Sequence, residues 1–280
     1  MKYGICHEHF ADQPFDTAIE LFADLGYDGV EITPWSVVDA VDSAADDELA
    51  AIREGVESAG LDVIGVPRVF SASDTEYHIG HLDPDVRERT VAYLRDVVEF
   101  CAAIGGGLVL YGSPVQRNVP DGVSHDRIYE NTLDSFRDPA LLELLESTDV
   151  VLCMEPISPG YSNFITNTAA AVEFVERVEH PKVGVALDGF HLARENRSPS
   201  DCLREAEPYL AHVHSDGDTG RGAADGTLEY GPILETLSEI GYDGYLSLEI
   251  HECIFDEVSE PLDPALVAEE SLEYLRSLAG

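Results

Sequence analysis

Eight short apolar runs alternate with amphipathic helical patterns in this chain of 280 residues, which predicts an α/β protein folded as a single (β/α)8 barrel. The strand-helix unit recurs about every 30 residues, the usual length of one strand and its crossover helix. Most of the runs are apolar without alternation, as is typical of parallel strands that are covered on both faces. Eight such units in a chain of this length are the number that closes a TIM barrel.

The predicted strands are short and rich in branched apolar residues, and they span 3–6, 29–32, 61–66, 107–111, 150–154, 183–187, 210–213 and 245–250. Each is followed by apolar residues at helical spacing, and these predicted helices span 15–25, 47–59, 83–104, 124–146, 168–178, 199–206, 231–240 and 264–278. Gly26 and Gly60 directly follow the first two helices, where glycine commonly ends a helix. Pro84 suits a first helical turn, and Pro139 is expected to interrupt the fourth helix.

A doubly wound open sheet is the alternative architecture. Such a sheet usually has fewer units and a G-x-G-x-x-G turn after its first strand, whereas His7-Glu8-His9 stands there in this chain. No low-complexity segment or long polar linker divides the sequence. We therefore expect one domain over residues 1–280.

The most pronounced feature of the composition is its acidity, with 55 acidic against 16 basic residues and a formal net charge of −39. The acids are spread along the whole length, so they do not form an acidic tail. Such a chain repels itself at low salt, whereas a Debye length of about 3 Å at about 1 M salt screens most of the repulsion. We expect a halophilic protein, and the negative field disfavours nucleic acid or an anionic membrane as a partner.

Neither a membrane span nor a disulfide framework is expected. No segment approaches the run of about 18 apolar residues that a spanning helix needs, and the first residues are too weakly apolar for a secretory signal. Five cysteines without a C-x-x-C motif indicate reduced thiols and a cytoplasmic location. The sequence does not determine the oligomeric state, and a homo-oligomer is one of the alternatives.

Titratable residues gather at the ends of the predicted strands, which form the active face of a (β/α)8 barrel. Glu155, Asp188, His214 and Glu249 fall at the ends of strands five to eight. Three carboxylates and one imidazole form a hard, mostly oxygen ligand set that suits one Mn²⁺, Mg²⁺ or Co²⁺ ion. Without a cation, carboxylates at one rim would repel and raise one another's pKa. The alternative is that these residues are separate surface acids and helix caps.

The segments around these four positions resemble the xylose isomerase-like TIM-barrel superfamily, which contains sugar isomerases and epimerases as well as endonuclease IV. Within it, the chain is most similar to ketose 3-epimerases of the tagatose/psicose type. The resemblance is carried by MEP at 154–156, NFITNT at 163–168, HPKVGVALDGFH at 180–191, HVHSD at 212–216 and GYDGYLSLE at 241–249. The separations of 33, 26 and 35 residues between the four candidate ligands are also similar to that family's spacing.

The resemblance implies roles for the residues at these positions. Four of them would hold one divalent metal: Glu155, Asp188, His214 and Glu249. Glu155 and Glu249 would also lie on opposite faces of the substrate as an acid–base pair. His191 and Arg221 would contact substrate oxygens.

Glu31, His7 and Trp35 are further candidate substrate contacts, because each ends or follows a predicted strand on the same face. Glu31 could instead pair with Arg68, His7 could lie on the surface, and Trp35 could serve ordinary packing. The residue types alone do not choose between these alternatives.

The run after the fifth strand departs from the resemblance. Sugar epimerases of this type usually continue with an Asn-Arg pair and another Glu that hold the sugar, whereas residues 156–161 here read PISPGY. The substrate is therefore open. Endonuclease IV-like enzymes place metal-binding His at the ends of strands three and four and an Asp-x-His after strand seven. This chain has Pro67-Arg68 and Gly112-Ser113 at the first two ends and no Asp-x-His after the seventh, which disfavours the nuclease.

The expected function is that of a metal-dependent isomerase or epimerase of a sugar or a sugar-derived polyol. A cation bound to the carbonyl and hydroxyl oxygens would stabilise an enediolate, and one carboxylate would remove a proton that the same or the other carboxylate returns. A dehydratase of the inosose or dehydroshikimate type is the alternative, since it needs the same metal and base. An endonuclease IV-like phosphodiesterase and a non-catalytic barrel are further alternatives.

Overall fold

A closed barrel of eight parallel strands in chain order forms the centre of the computed structural model, which describes residues 1–71, 73–250 and 262–279. The strands are β1 Lys2–Cys6, β2 Gly29–Glu31, β3 Asp62–Val66, β4 Leu108–Tyr111, β5 Val151–Met154, β6 Val183–Asp188, β7 Leu210–His214 and β8 Tyr245–Leu248. β1 pairs with both β2 and β8, which closes the barrel. The predicted (β/α)8 barrel is therefore confirmed.

Helices follow the strands and pack around the barrel. They are α1 Phe15–Leu25, α2 Asp46–Ser58, α3 Pro84–Ala103, α4 His125–Phe136, α5 Pro139–Thr148, α6 Thr168–Val178, α7 Gly189–Leu192, α8 Pro199–Ala206, α9 Tyr230–Glu239 and α10 Pro264–Leu278. Short 3-10 helices at His7–Phe10 and Pro34–Ser36 follow β1 and β2. Within the described part of the chain, no helix combines the length and the apolar character that a membrane crossing requires.

The helix boundaries follow local chemistry. The predicted interruption near Pro139 is confirmed, because the Asp138 side chain accepts the N–H groups of Ala140 and Leu141 and thereby starts α5. Gly26 ends α1 with a φ of 94°, a left-handed conformation that glycine adopts without steric cost.

Two features at the strand ends were not predicted. β6 extends through Asp188 instead of ending before it, and the one-turn helix α7 follows directly. The Asp188 side chain accepts the N–H of His191, which starts that turn. β8 ends at Leu248, two residues earlier than expected. His251, which follows the eighth predicted strand, lies outside the described residues.

On β7 and β8, alternation separates an apolar outer face from a polar inner face. Val213 of β7 and Leu248 of β8 belong to the large apolar core between the sheet and the helices. Their neighbours His212, His214 and Glu249 therefore point into the barrel, because successive side chains of a strand face opposite sides. This pleat directs the polar residues at the strand ends toward one another.

We expect the high net charge to make stability depend on salt, because the chain carries 55 acidic residues and only 16 basic ones. The thermal unfolding midpoint should rise by about 5–10 °C between 0.1 M and 2 M KCl, about 2–3 kcal/mol for a chain of this size. Calorimetry in KCl, with sorbitol at matched water activity as the control, measures this effect. A midpoint that is unchanged or falls with KCl would contradict the expected halophilic character.

Candidate active site

Four ionisable residues meet inside the barrel at the carboxyl-terminal ends of β5 to β8. Glu155 and Glu249 directly follow β5 and β8. Asp188 and His214 end the neighbouring strands β6 and β7, where they are paired side by side in register. Their exposed fractions are 5% for Glu155, 6% for Glu249 and 1% for both Asp188 and His214. Each of Glu155, His214 and Glu249 offers a ligand atom within 4.8 Å of those of the other two. The structure thus brings together residues that are far apart in the sequence.

This donor set fits a divalent cation. Burial, together with the negative charge of Glu249, raises the pKa of Glu155 from 4.5 to about 8. Carboxylates that are buried together carry an electrostatic cost, which a bound cation relieves. Glu155, His214 and Glu249 would hold that ion, with Asp188 as the fourth predicted ligand beside them.

The imidazole of His214 lies between two carboxylates. Its Nδ1 is 2.9 Å from Oε2 of Glu249, and its Nε2 is 2.9 Å from Oε2 of Glu31. Burial by itself would lower the pKa of His214, but the charges of Glu31 and Glu249 outweigh it and raise this pKa well above its ordinary value. Both ring nitrogens therefore have an acceptor for a proton.

Glu31 lies below this group, with no exposed surface. One of its oxygens is 2.5 Å from Nε2 of His212, and the other accepts a hydrogen bond from the thiol of Cys6. Burial would raise the pKa of Glu31, but His212 and His214 hold it well below its ordinary value. The alternative ion pair between Glu31 and Arg68 is wrong, because the guanidinium of Arg68 binds Glu8 instead.

Ser158 determines the tautomer of His191. The backbone N–H of Ser158 donates to Nδ1 of His191 at 3.3 Å, and the Ser158 hydroxyl lies 2.9 Å from the same nitrogen. A backbone N–H can only donate, so Nδ1 accepts and the ring proton lies on Nε2. A neutral His191 can therefore donate a hydrogen bond only through Nε2.

The remaining predicted contacts lie in the loops after β1, β2 and β7. His7 is buried beside Ser36, and burial lowers its pKa to about 4, so it is uncharged at neutral pH. Trp35 is half-buried, with the guanidinium of Arg68 5.5 Å from its ring centroid. Arg221 forms an ion pair at 3.8 Å with Asp225 of its own loop. The predicted substrate roles of His7, Trp35 and Arg221 stay predictions.

Sequence reasoning missed two residues that shape the surroundings of Glu155. Gly112 follows β4, and a Cβ atom there would overlap the Glu155 carboxylate. Arg117 is fully buried and donates to the main-chain oxygens of Glu155 and Tyr111, at 2.7 and 3.1 Å. Burial lowers the pKa of Arg117 to about 10, so it remains a cation beside the carboxylates at neutral pH. A glycine directly after a strand was the one available signal.

We predict that Gly112→Ala displaces the Glu155 carboxylate and weakens Mn²⁺ binding about tenfold or more, because the new methyl group occupies its place. Gly107→Ala is the matched control, since a Cβ at Gly107 has no neighbour within 4 Å. Calorimetric titration of both metal-free variants measures the effect. Equal Mn²⁺ affinities in the two variants would contradict the steric role of Gly112.

We also predict that apparent Mn²⁺ affinity rises with pH. Glu155, whose pKa is about 8, holds a proton below that pH and must release it to bind a cation. The affinity should therefore rise by about tenfold or more per pH unit between pH 6 and 8, because His214, whose pKa is also raised, has to release a proton as well. Titrations in buffers of different ionisation enthalpy count the protons that are released when Mn²⁺ binds. Glu155→Gln should release about one proton fewer than the unchanged protein. An affinity that is constant from pH 6 to 8 would contradict this assignment.

Comparison with known proteins identifies the family. The sequence profile of the xylose isomerase-like TIM barrel matches residues 19–278. The D-psicose 3-epimerase of Ruminiclostridium cellulolyticum is 27% identical over 258 residues, which cover 89% of this chain and 83% of that protein. The D-psicose 3-epimerase of Agrobacterium fabrum is 28% identical over 256 residues, which cover 89% of this chain and 84% of the relative.

Solved structures agree with this comparison. The crystal structure of D-psicose 3-epimerase with D-tagatose from Clostridium cellulolyticum H10 superimposes with a TM-score of 0.85 at 22% sequence identity, covering 99% of both chains. That similarity confirms the barrel fold. With the profile match over most of the chain, it also confirms the resemblance inferred from the sequence. The chain belongs to the xylose isomerase-like TIM-barrel family.

Proposed function

We propose that the protein is a divalent-metal-dependent epimerase or isomerase of a sugar or sugar derivative, and that a ketose is its substrate class. The observation that carries the proposal is the buried pair of carboxylates at the barrel end, Glu155 and Glu249, grouped with His214. The relatives named D-psicose 3-epimerase support the substrate class, since they match this chain over 89% of its length.

Two carboxylates of this kind can move a proton next to a carbonyl group. One removes the proton from the carbon, and the same or the other carboxylate returns it, so that isomerisation or epimerisation results. The raised pKa of Glu155, about 8, is close to neutral pH, where a group can serve as both acid and base. A bound Mn²⁺, Mg²⁺ or Co²⁺ ion would polarise the carbonyl and stabilise the enediolate charge.

Other side chains would bind and orient the substrate. His191, protonated on Nε2 as a result of its contact with Ser158, would donate a hydrogen bond to a substrate oxygen. His7 is uncharged at neutral pH and can do the same without adding charge. Trp35 and Arg68 would form an apolar and cationic wall, and Arg221 would reach the substrate from the loop after β7.

The described cysteines, Cys6, Cys101, Cys153 and Cys202, form no disulfide and are buried. We propose a reducing, salt-rich cytoplasm as the working environment, which agrees with these thiols and with the net charge of −39.

The proposal predicts that the Mn²⁺-loaded protein, at molar KCl in D₂O, epimerises a ketohexose or ketopentose. Deuterium should appear at the carbon whose configuration changes, because the returned proton comes from a carboxylate that exchanges with solvent. Proton NMR and mass spectrometry of a ketose panel measure this. Loss of water from a cyclic polyol ketone without any ketose exchange would indicate the dehydratase, and cleavage of abasic-site DNA would indicate the nuclease.

We further predict that Glu155→Gln and Glu249→Gln each lower turnover by about 10²–10⁴-fold or more at saturating metal while leaving the fold intact. Glu48→Gln, a change at an exposed position of α2, is the matched control and should keep turnover unchanged. Circular dichroism and metal content are measured for each variant, so that loss of chemistry is separated from loss of the ion. Near-normal turnover in either barrel variant would overturn the acid–base assignment.

A further inference from the structure

Below the four candidate ligands, one part of the barrel interior is polar, although such barrels are usually filled with branched apolar side chains. Cys6 of β1, Glu31 of β2 and His212 of β7 lie there, each with an exposed fraction of at most 1%. We call these three residues the inner polar cluster. A buried carboxylate has a high desolvation cost, so its partners must account for its presence.

The carboxylate of Glu31 contacts two imidazoles at the same time. Oε1 is 2.5 Å from Nε2 of His212, and Oε2 is 2.9 Å from Nε2 of His214. Cys6 donates to the same Oε2 at 3.3 Å. Since His212 and His214 are two positions apart on one strand, they face the same side and reach the same carboxylate. No exposed surface of Glu31 remains for a substrate.

This contact decides which nitrogen of His214 is available above it. A carboxylate is an acceptor, so it keeps a proton on Nε2. Nδ1 points to the opposite side and lies 2.9 Å from Oε2 of Glu249. An imidazole that binds a metal through one nitrogen commonly needs its other N–H held by an acceptor, which fixes both the tautomer and the ring orientation.

We propose that Glu31 is a positioning residue, which holds His214 with its proton on Nε2 and with Nδ1 turned toward the cation site. His212 holds the Glu31 carboxylate in place from the other side. This inference rests on the proposed function only in its use of a cation at Glu155, His214 and Glu249. It replaces the expected role of Glu31 as a substrate contact.

Binding of Mn²⁺ alone, without any sugar, tests the proposal. Glu31→Gln should weaken Mn²⁺ binding about 10–100-fold in calorimetric titration, because the amide no longer supplies a charged acceptor to Nε2. Asp62→Asn is the matched control, since Asp62 begins β3 at the opposite end of the barrel and pairs with Lys2. Its Mn²⁺ affinity should equal that of the unchanged protein. Glu31→Gln with unchanged Mn²⁺ affinity would overturn the proposal.

A second pair of variants covers the case in which Glu31→Gln does not fold. His212→Gln keeps a donor toward Oε1 of Glu31 and should retain Mn²⁺ affinity, whereas His212→Leu removes that donor and should lower it. Equal affinities in these two variants would contradict the positioning of Glu31 by His212. Nitrogen-15 NMR of the Mg²⁺-loaded protein should show His214 protonated on Nε2. Of the two His212 variants, only His212→Leu should change the visible absorption spectrum of the Co²⁺-loaded protein.

Kinetics separate positioning from substrate contact. At saturating Mn²⁺, Glu31→Gln should lower kcat and leave KM for the ketose within about twofold, since Glu31 does not reach the substrate. A raised KM with normal Mn²⁺ affinity would restore the substrate-contact role and overturn the proposal. If the unchanged protein binds Mn²⁺ but turns over no sugar, only the proposed function fails. If it binds no divalent metal, both fail.

Discussion

Charge burial is the constraint on which the rest of the site depends. Glu155, Asp188 and Glu249 lose nearly all contact with water at one end of the barrel, and the negative charges of Glu249 and Asp188 add to the effect of burial on the pKa of Glu155. The pKa of Glu155 near 8 is a direct consequence. Only positive charge relieves this cost, and the chain supplies some of it through His214 and Arg117. A divalent cation would supply the rest, which is why the arrangement fits a metal better than a set of surface acids.

The barrel arranges these charges in two layers. Glu155, His214 and Glu249 form an upper layer at the carboxyl-terminal end of the barrel, while Glu31 and His212 lie beneath it. His214 belongs to both layers, because its two ring nitrogens face carboxylates on opposite sides. The lower layer can therefore fix the ring without taking space from the substrate. In the proposed mechanism, Glu155 and Glu249 would transfer the proton, and Glu31 would orient His214 from below.

The segment after β5 differs in sequence from that of the sugar epimerases which this chain resembles. Sugar epimerases of the tagatose/psicose type usually have an Asn-Arg pair and another Glu after the fifth strand. This chain has the run PISPGY at 156–161 instead, and Ser158 in this run contacts His191. The hydroxyl and the backbone N–H of Ser158 both contact one nitrogen, Nδ1 of His191. The run at 156–161 does not indicate a particular sugar, so the identity of the substrate has to be established by experiment.

Much of the architecture could be predicted from the sequence. Eight strand-helix units imply a barrel, and the carboxyl-terminal ends of its strands share one face, so Glu155, Asp188, His214 and Glu249 could be grouped from the sequence alone. The spacing of apolar residues, the helix caps and the strand ends are local properties of the chain. Local patterning also predicted the break between α4 and α5, where Asp138 precedes Pro139.

The contacts between distant residues could not be predicted in this way. Glu31 and His214 are 183 positions apart, and their hydrogen bond depends on barrel closure, which brings β2 and β7 face to face across the interior. The room that Gly112 leaves for Glu155, and the hydrogen bond by which Ser158 sets the tautomer of His191, depend on the path of the loops. The sequence by itself determined which residues reach the active face. Only the tertiary structure decided which of them touch, because side-chain distances of a few ångströms depend on how the whole barrel closes and packs.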